Sequence, residues 1–244
     1  MDAPKRPPAV VFLHSAGLTP QMWQAQVEAV ALRQAQAAEG AAQAAEGAAQ
    51  AAEGAQAEET QVIAPWLAGL RPGRPGELSL SLAAAEVTST LDRYGIERAR
   101  LVGHQLGAMV ALQVAASEPD RVAALVLSGA FATPGKLALR LQKSLIRVMP
   151  NKALADSGAT KEDLVRALDL MATADFGARL KEITVPVLVV AGASDPGLPA
   201  AQQLVAQLPQ ARLEVLPDAG ANPSLEAPDA YNHLLVDFLT QTQS

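Results

Sequence analysis

The stretch Leu101-Val102-Gly103-His104-Gln105-Leu106-Gly107 decides how the chain is read. A short, largely apolar run from Ala99 to Val102 stops at Gly103. A helical pattern opens at Leu106 and runs on through Ala108, Met109, Val110, Ala111, Leu112, Val114 and Ala115. The two glycines stand two residues either side of position 105, where a strand must turn sharply into a helix without side-chain collisions. G-x-S-x-G spacing of this kind raises one side chain above the end of a parallel sheet and sets the next N–H where an oxyanion would form. The raised residue here is Gln105, not Ser. The spacing predicts a turn and a pocket, and it leaves the reaction open.

Outward from this elbow, strands and helices alternate. Ala9 to Leu13 is too uniformly apolar for a strand with one wet face, so it reads as buried. Thr19 is placed as an N-cap with Pro20 at the first helical position, and Met22, Val27, Val30 and Leu32 are the apolar residues of the helix that follows. Trp23 near its start reads as packing. Gln61 to Pro65 returns to strand, Gly69 to Gly76 is loop, and Leu78 to Tyr94 is helical up to Gly95. Strands follow at Val122–Leu127, Val187–Ala191 and Ala211–Leu216, with helices at Ala200–Leu208 and Ala227–Leu239. The alternation predicts a parallel sheet covered on both faces, with sites at the strands' carboxyl ends.

Two segments differ from this pattern. Residues 36–57 carry Ala-Ala-Glu-Gly-Ala-Ala-Gln at 37–43, again at 44–50, and altered at 51–57. Alanine favours helix, but Gly40, Gly47 and Gly54 each cost about 1 kcal/mol relative to Ala, and no large apolar side chain anchors the segment. It reads as a solvated helical extension or partly disordered insert, or as an arm for a protein partner. Residues 131–181 hold short amphipathic helices and no strand. Leu137, Leu141, Leu145, Val148 and Met149 are expected on one face, with Arg140, Lys143 and Arg147 elsewhere. Thr160 and Asp163 resemble a capping box opening Leu164 to Met171.

Composition narrows the function classes. The 244 residues suit one α/β domain, and half are apolar. A net charge of −6 with no basic stripe argues against nucleic acid. The chain has no cysteine, which excludes disulfides, thiol catalysis and thiolate metal sites, and its three histidines are too far apart to suggest a metal centre. No cofactor is implied. Lys5 and Arg6 precede no segment of signal-peptide length, and no apolar run reaches the ~18 residues of a membrane span, so a cytoplasmic protein is expected. Heavy use of Ala, Gly, Pro and Arg fits a high-GC bacterial genome.

The ordered landmarks resemble the α/β-hydrolase superfamily over nearly the whole chain outside the insert. Leu13-His14-Ser15-Ala16-Gly17 is similar to the His-Gly oxyanion turn, with Ser15 for the first glycine. Val102 to Gly107 resembles the nucleophile elbow, and Glu118-Pro119-Asp120-Arg121-Val122 resembles the Pro-x-Arg-Val entry to the next strand. Val185 to Gly192, ending at Asp195, resembles the strand and turn that bear the catalytic acid. Gly220 to Pro228 resembles the segment that bears the catalytic histidine. The resemblance implies a mostly parallel sheet of about six strands flanked by helices. Residues 1–130 and 182–244 would form the core, and 131–181 a small helical cap.

The departures bear on function. Gln105 takes the nucleophile's position and Ala221 the histidine's, so serine-type hydrolysis is not expected. Trp66 stands where the family has Asp, either covering the insert or offering a flat surface to an aromatic ligand. His104 and His14 read as structural, although His14 belongs to a turn near the pocket, and His233 is expected at the surface. Backbone N–H groups of Ala16 and Leu106 could still form an oxyanion hole. Asp195, without an imidazole, is either a general acid or base alongside Gln105, or a turn residue. Ser15, Ala16, Leu106, Trp66, Phe131, Met149 and His14 are expected to contact the ligand. Three functions fit this set. One is a cofactor-independent, non-hydrolytic enzyme of natural-product-like chemistry (cyclisation, C–C coupling, elimination or isomerisation) on a small apolar or aromatic molecule. The others are a ligand-binding or scaffold protein, and an inactivated or weak ester hydrolase.

Overall fold

The computed structural model describes residues 7–47, 60–71, 76–132, 136–150, 152, 154 and 157–242. Lys5, Arg6 and positions 48–57 of the repeat lie outside the described residues, as do the side chains of Leu137 and Leu141.

Six strands form one sheet: β1 (Ala9–Leu13), β2 (Val62–Ile63), β3 (Ala99–His104), β4 (Val122–Ser128), β5 (Val187–Gly192) and β6 (Ala211–Leu216). Their order is β2-β1-β3-β4-β5-β6, and every neighbouring pair is parallel. The edge strand β2 is only two residues long, shorter than the predicted run to Pro65, because proline has no N–H to give to the ladder. Register pairs Leu13 with Gly103 and His104 with Ser128, so the loops after β1, β3 and β4 emerge side by side.

Helices α1 (Gln24–Gly47), α2 (Leu80–Arg93), α3 (Leu106–Ser117), α4 (Lys136–Val148), α5 (Lys161–Thr173), α6 (Leu198–Val205), α7 (Pro223–Glu226) and α8 (Pro228–Gln241) complete the described elements, with short 3₁₀ turns at Pro20–Trp23, Pro119–Arg121 and Gly177–Glu182. Alternation along the strands sorts the core into two faces. Val11, Leu13 and Leu101 pack with α2, α3 and α6, whereas Val10, Phe12 and Val102 pack with Val30 of α1 and Tyr231, Leu235 and Phe238 of α8. Trp23 is packing, as read: it is fully buried, with its ring 5.3 Å from that of Phe12. Helix α3 is apolar and buried from Leu106 to Leu112 and again at Val114 and Ala115, with the half-buried Gln113 its polar residue before Ser117. Helix α2 ends in a Schellman pair, Ile96 N–H to Leu91 O at 2.9 Å and Gly95 N–H to Asp92 O at 3.1 Å. Arg121 ties the entry of β4 to that of β3, donating to Asp92 at 2.7 Å, Glu97 O at 2.8 Å and Ile96 O at 3.0 Å.

Three local expectations need correcting. Thr19 holds the cap position, but its hydroxyl makes no cap bond. Leu32 is 61% exposed. The α1–α8 contact runs through Ala25, Gln26 and Val30, and the helix continues past it into solvent. In α4, Leu145 and Val148 face solvent while Ile146 is buried, and Lys143 pairs with Asp169 of α5. The helix therefore turns a different side inward from the one its leucines suggested. From position 35 to 40 the repeat-bearing end of α1 is exposed throughout. No described helix is long and apolar enough to cross a membrane.

Candidate active site

At the carboxyl ends of the strands the elbow forms as its glycines predicted. Gln105 has φ 45° and ψ −110°, and among the described residues no other non-glycine has positive φ. This backbone is strained for an L-residue and persists only where its surroundings over-determine it. Three contacts do so. The Gln105 N–H donates to Ser128 O at 2.7 Å. A Cβ on Gly103 would lie 2.6 Å from the Ala108 nitrogen, and one on Gly107 would lie 2.0 Å from the carbonyl oxygen of Leu13. Only hydrogen fits between α3 and the strands at those two points.

The raised Gln105 side chain is held from one side. Ser15 Oγ–H donates to its Oε1 at 2.8 Å, bringing together two of the residues chosen from sequence. The amide nitrogen has no protein acceptor among the described residues, and Gln105 borders a cavity of about 120 Å³ lined also by Phe131, Gln142, Leu168, Met171, Asp195 and Ala221. Ser15, Ala16 and Leu106 adjoin Gln105 and do not line this cavity. The N–H groups of Ala16 and Leu106 have no hydrogen-bond acceptor among the described residues.

Asp195 is half-buried in the turn after β5. Its Oδ1 accepts the Gly197 N–H at 2.7 Å, the turn geometry its Asp-Pro sequence allowed. Burial pushes its carboxyl above the ordinary aspartate value; the Gly197 N–H pulls it down and the charge of Glu226 pushes it up. Ser194 N–H donates to Ala219 O at 3.0 Å, so this turn is tied to the loop that brings Ala221 to the same cavity.

The imidazoles are committed elsewhere. His14 is buried: its Nε2 accepts the Leu67 N–H at 3.2 Å and its Nδ1 contacts Ser15 O at 2.9 Å, which fixes a neutral ring. Burial lowers its pKa. His104 is also fully buried, with Nε2 2.9 Å from Asn222 Oδ1 and Nδ1 without a partner among the described residues, and desolvation takes its pKa down to about 4. Asn222 is anchored by Glu226, whose carboxylate accepts from the Gly220 N–H and, at 3.1 Å, the Asn222 N–H. These bonds, the Gly220 one foremost, hold Glu226 below its ordinary pKa. His233 is on the surface beside Asp237. No described histidine is hydrogen-bonded to a serine hydroxyl.

Trp66 and Met149 are placed apart from the cavity. Trp66 meets the edge of His14 at 5.2 Å and lines a separate open groove of about 660 Å³ against α2. Met149 follows α4, and the methionine at the cavity is Met171 of α5. Sequence reasoning missed Met171, Leu168 and Gln142. The first two had a readable signal, since they share the buried stripe of the helix that the Thr160–Asp163 box opens. Gln142 had none.

A model of the alpha/beta hydrolase family matches residues 10–234 of this chain. A candidate carbamate hydrolase, RutD, of Pseudomonas savastanoi pv. phaseolicola is 28% identical over 198 residues, covering 68% of this chain and 76% of the relative. A 2-hydroxy-6-oxononadienedioate/2-hydroxy-6-oxononatrienedioate hydrolase of Paraburkholderia phymatum is 31% identical over 197 residues, covering 66% of this chain and 68% of the relative. The crystal structure of a hydrolase from Pseudomonas aeruginosa superposes with a TM-score of 0.72 at 22% identity, over 98% of this chain and 92% of that one, a likeness of fold.

Proposed function

The chain belongs to the alpha/beta hydrolase family, and from that premise we propose that it is a non-hydrolytic member that moves a proton on a small carbonyl compound. The observation that carries the reading is the occupant of the elbow. Gln105 offers an amide where a hydrolase of this fold needs a hydroxyl, and Ala221 offers a methyl group at the position that corresponds to the imidazole. Its relatives are hydrolases by name, so the scaffold is one that supports acyl chemistry.

The remaining groups suit enolate chemistry. Asp195 is the titratable side chain among those lining the cavity, and burial makes it a stronger base than a free aspartate. Its carboxylate would take a proton from the carbon next to a carbonyl. The C–H electrons then form a C=C bond and the C=O pair moves to the oxygen, whose negative charge would meet the amide N–H of Gln105, a polar donor at that cavity. Return of the proton at another carbon completes an isomerisation, and loss of a substituent from the neighbouring carbon completes an elimination. A volume of about 120 Å³ favours a substrate of few heavy atoms over a polycyclic one.

The test is solvent deuterium uptake, followed by NMR, into a panel of small ketones and 2-oxo acids. Wild type is expected to exchange, Asp195→Asn to lose on the order of 10² in rate, and Gln105→Ala to lose less. Exchange unchanged in both variants would remove the acid–base assignment. Fluorophosphonate labelling of wild type would restore a serine hydrolase. The Ser15–Gln105 bond, which closes the elbow with a neutral pair, favours a second reading as a non-catalytic binder; thermal-shift hits without exchange would select it.

A further inference from the structure

Helix α4 turns apolar side chains outward. Leu145 and Val148 stand three positions apart, so they are neighbours on one side of the helix, and they are 58% and 79% exposed while Ile146 is buried. A helix laid on a globular core ordinarily hides its apolar stripe against that core. Here α5 holds α4 by its flank, through the pair of Lys143 with Asp169, and the outward side is left without a partner among the described residues.

Charge decides what covers this side. From Phe131 to Ala155 the sequence holds Lys136, Arg140, Lys143, Arg147 and Lys152 and no Asp or Glu, in a chain whose net charge is −6. Arg140 and Arg147 are exposed, nearly in line along the helix, and in no ion pair among the described residues. On α5, Asp163 is spent on Arg166 and Asp169 on Lys143, and Glu162 stands next to Lys161, whose ammonium donates to Arg147 O at 3.0 Å. A second copy of the helix would set these cations against themselves. A short peptide needs a groove, and α4 presents a ridge. We propose that the outward side of α4 docks on an anionic phospholipid bilayer, with Leu145 and Val148 in the headgroup boundary and Arg140 and Arg147 on the phosphates. The helix, 13 residues long, lies in the surface and does not cross it. Two apolar side chains and two cations make the attachment reversible. None of the four lines the cavity at Gln105, so the contact stands whatever the reaction proves to be.

Vesicle sedimentation of the full chain tests it, with phosphatidylcholine alone and with an equal mixture of phosphatidylcholine and phosphatidylglycerol. Wild type is expected to partition on the order of tenfold better onto the mixed vesicles and to come off in high salt. Leu145→Ser with Val148→Ser is expected to melt as wild type does, because both positions are exposed, and to lose about tenfold or more on the mixed vesicles. Arg140→Gln with Arg147→Gln is expected to lose about tenfold on the mixed vesicles and to leave phosphatidylcholine binding unchanged. Leu32→Ser, at an exposed leucine of α1, is expected to partition as wild type. Should the Leu145/Val148 pair fail to fold, the arginine pair and the salt dependence carry the test. Wild type left in the supernatant with both vesicles, variants that partition as wild type, or an equal loss in Leu32→Ser would overturn the proposal. A dimer in light scattering that the Leu145/Val148 pair abolishes would give the face to a second copy, and binding of poly-L-glutamate in place of the mixed vesicles would give it to an acidic protein; either result overturns the bilayer.

Discussion

At the scale of single residues, the elbow and the histidine behind it make opposite demands on the chain. Gly107 has to let α3 approach within reach of the Leu13 carbonyl; a methyl group there would meet that oxygen at 2.0 Å and the His14 oxygen at 2.8 Å. Both are backbone atoms of the sheet and its first loop, so neither can swing aside. Gly107→Ala is expected to cost at least about 3 kcal/mol in urea unfolding, or to prevent folding. His104 demands a proton balance. Burial keeps its ring neutral, with a folded pKa of about 4 against an ordinary value of 6.5. As pH falls below 6.5 the unfolded chain takes up a proton that the folded chain refuses, so stability drops until pH reaches about 4 and is unaffected by this group above 6.5. The shift corresponds to a loss of about 3 kcal/mol across that window. His104→Gln, which keeps a donor for Asn222, is expected to flatten the greater part of this slope in denaturant curves taken at several pH values; an unchanged slope would mean that His14 or the carboxylates dominate.

At the scale of elements, α5 connects a local sequence signal to the cavity. Thr160 Oγ1 accepts from the Asp163 N–H at 3.1 Å and Asp163 Oδ2 accepts from the Thr160 N–H at 2.8 Å, a reciprocal cap on a helix that carries Leu168 and Met171 to the site. Thr160→Ala is expected to cost about 1 kcal/mol. Hydrogen exchange should show the loosening across Lys161–Thr173 and leave β3 and β4 protected; uniform acceleration over the whole chain would count against a local role. This box was legible because two residues three positions apart and their own backbone determine it. The sheet was legible for a similar reason: runs such as Ala9–Leu13 are apolar at every position, which only a strand covered on both faces tolerates. The inward side of α4 was not legible. Its leucines and cations could be drawn with either side inward, and the choice fell to packing on α5, which buries Ile146 and leaves Leu145 out. Met149 gave way to Met171 at the cavity on the same ground. Leu32 was misread because periodicity shows which side of a helix is apolar but not where the helix outruns its partner.

At the scale of the whole molecule, the fold and the chemistry come from different parts of the sequence. The glycines, the Arg121 anchor and the Asp195 turn set the scaffold, and all were readable as ordered landmarks. The interplay of Ser15 with Gln105 joins residues ninety positions apart and was invisible until the sheet register brought β1 and β3 side by side. If the scaffold is intact and only its reacting groups differ, ester hydrolysis should be recoverable by restoring them together. Gln105→Ser puts a hydroxyl at φ 45°, beside the unpartnered N–H groups of Ala16 and Leu106. Ala221→His puts an imidazole on the loop that shares a cavity with Asp195. Because such groups act as a unit, each single variant is expected to stay near the wild-type rate on p-nitrophenyl acetate, and the double variant to exceed it on the order of 10²-fold. Fluorophosphonate should then label the double variant at the introduced hydroxyl and at none of its native serines. A double variant that folds but neither labels nor turns over would mean that the Asp195 turn, held by Gly197, no longer points where an imidazole needs it, and the divergence from hydrolysis would extend beyond two side chains into the loops themselves.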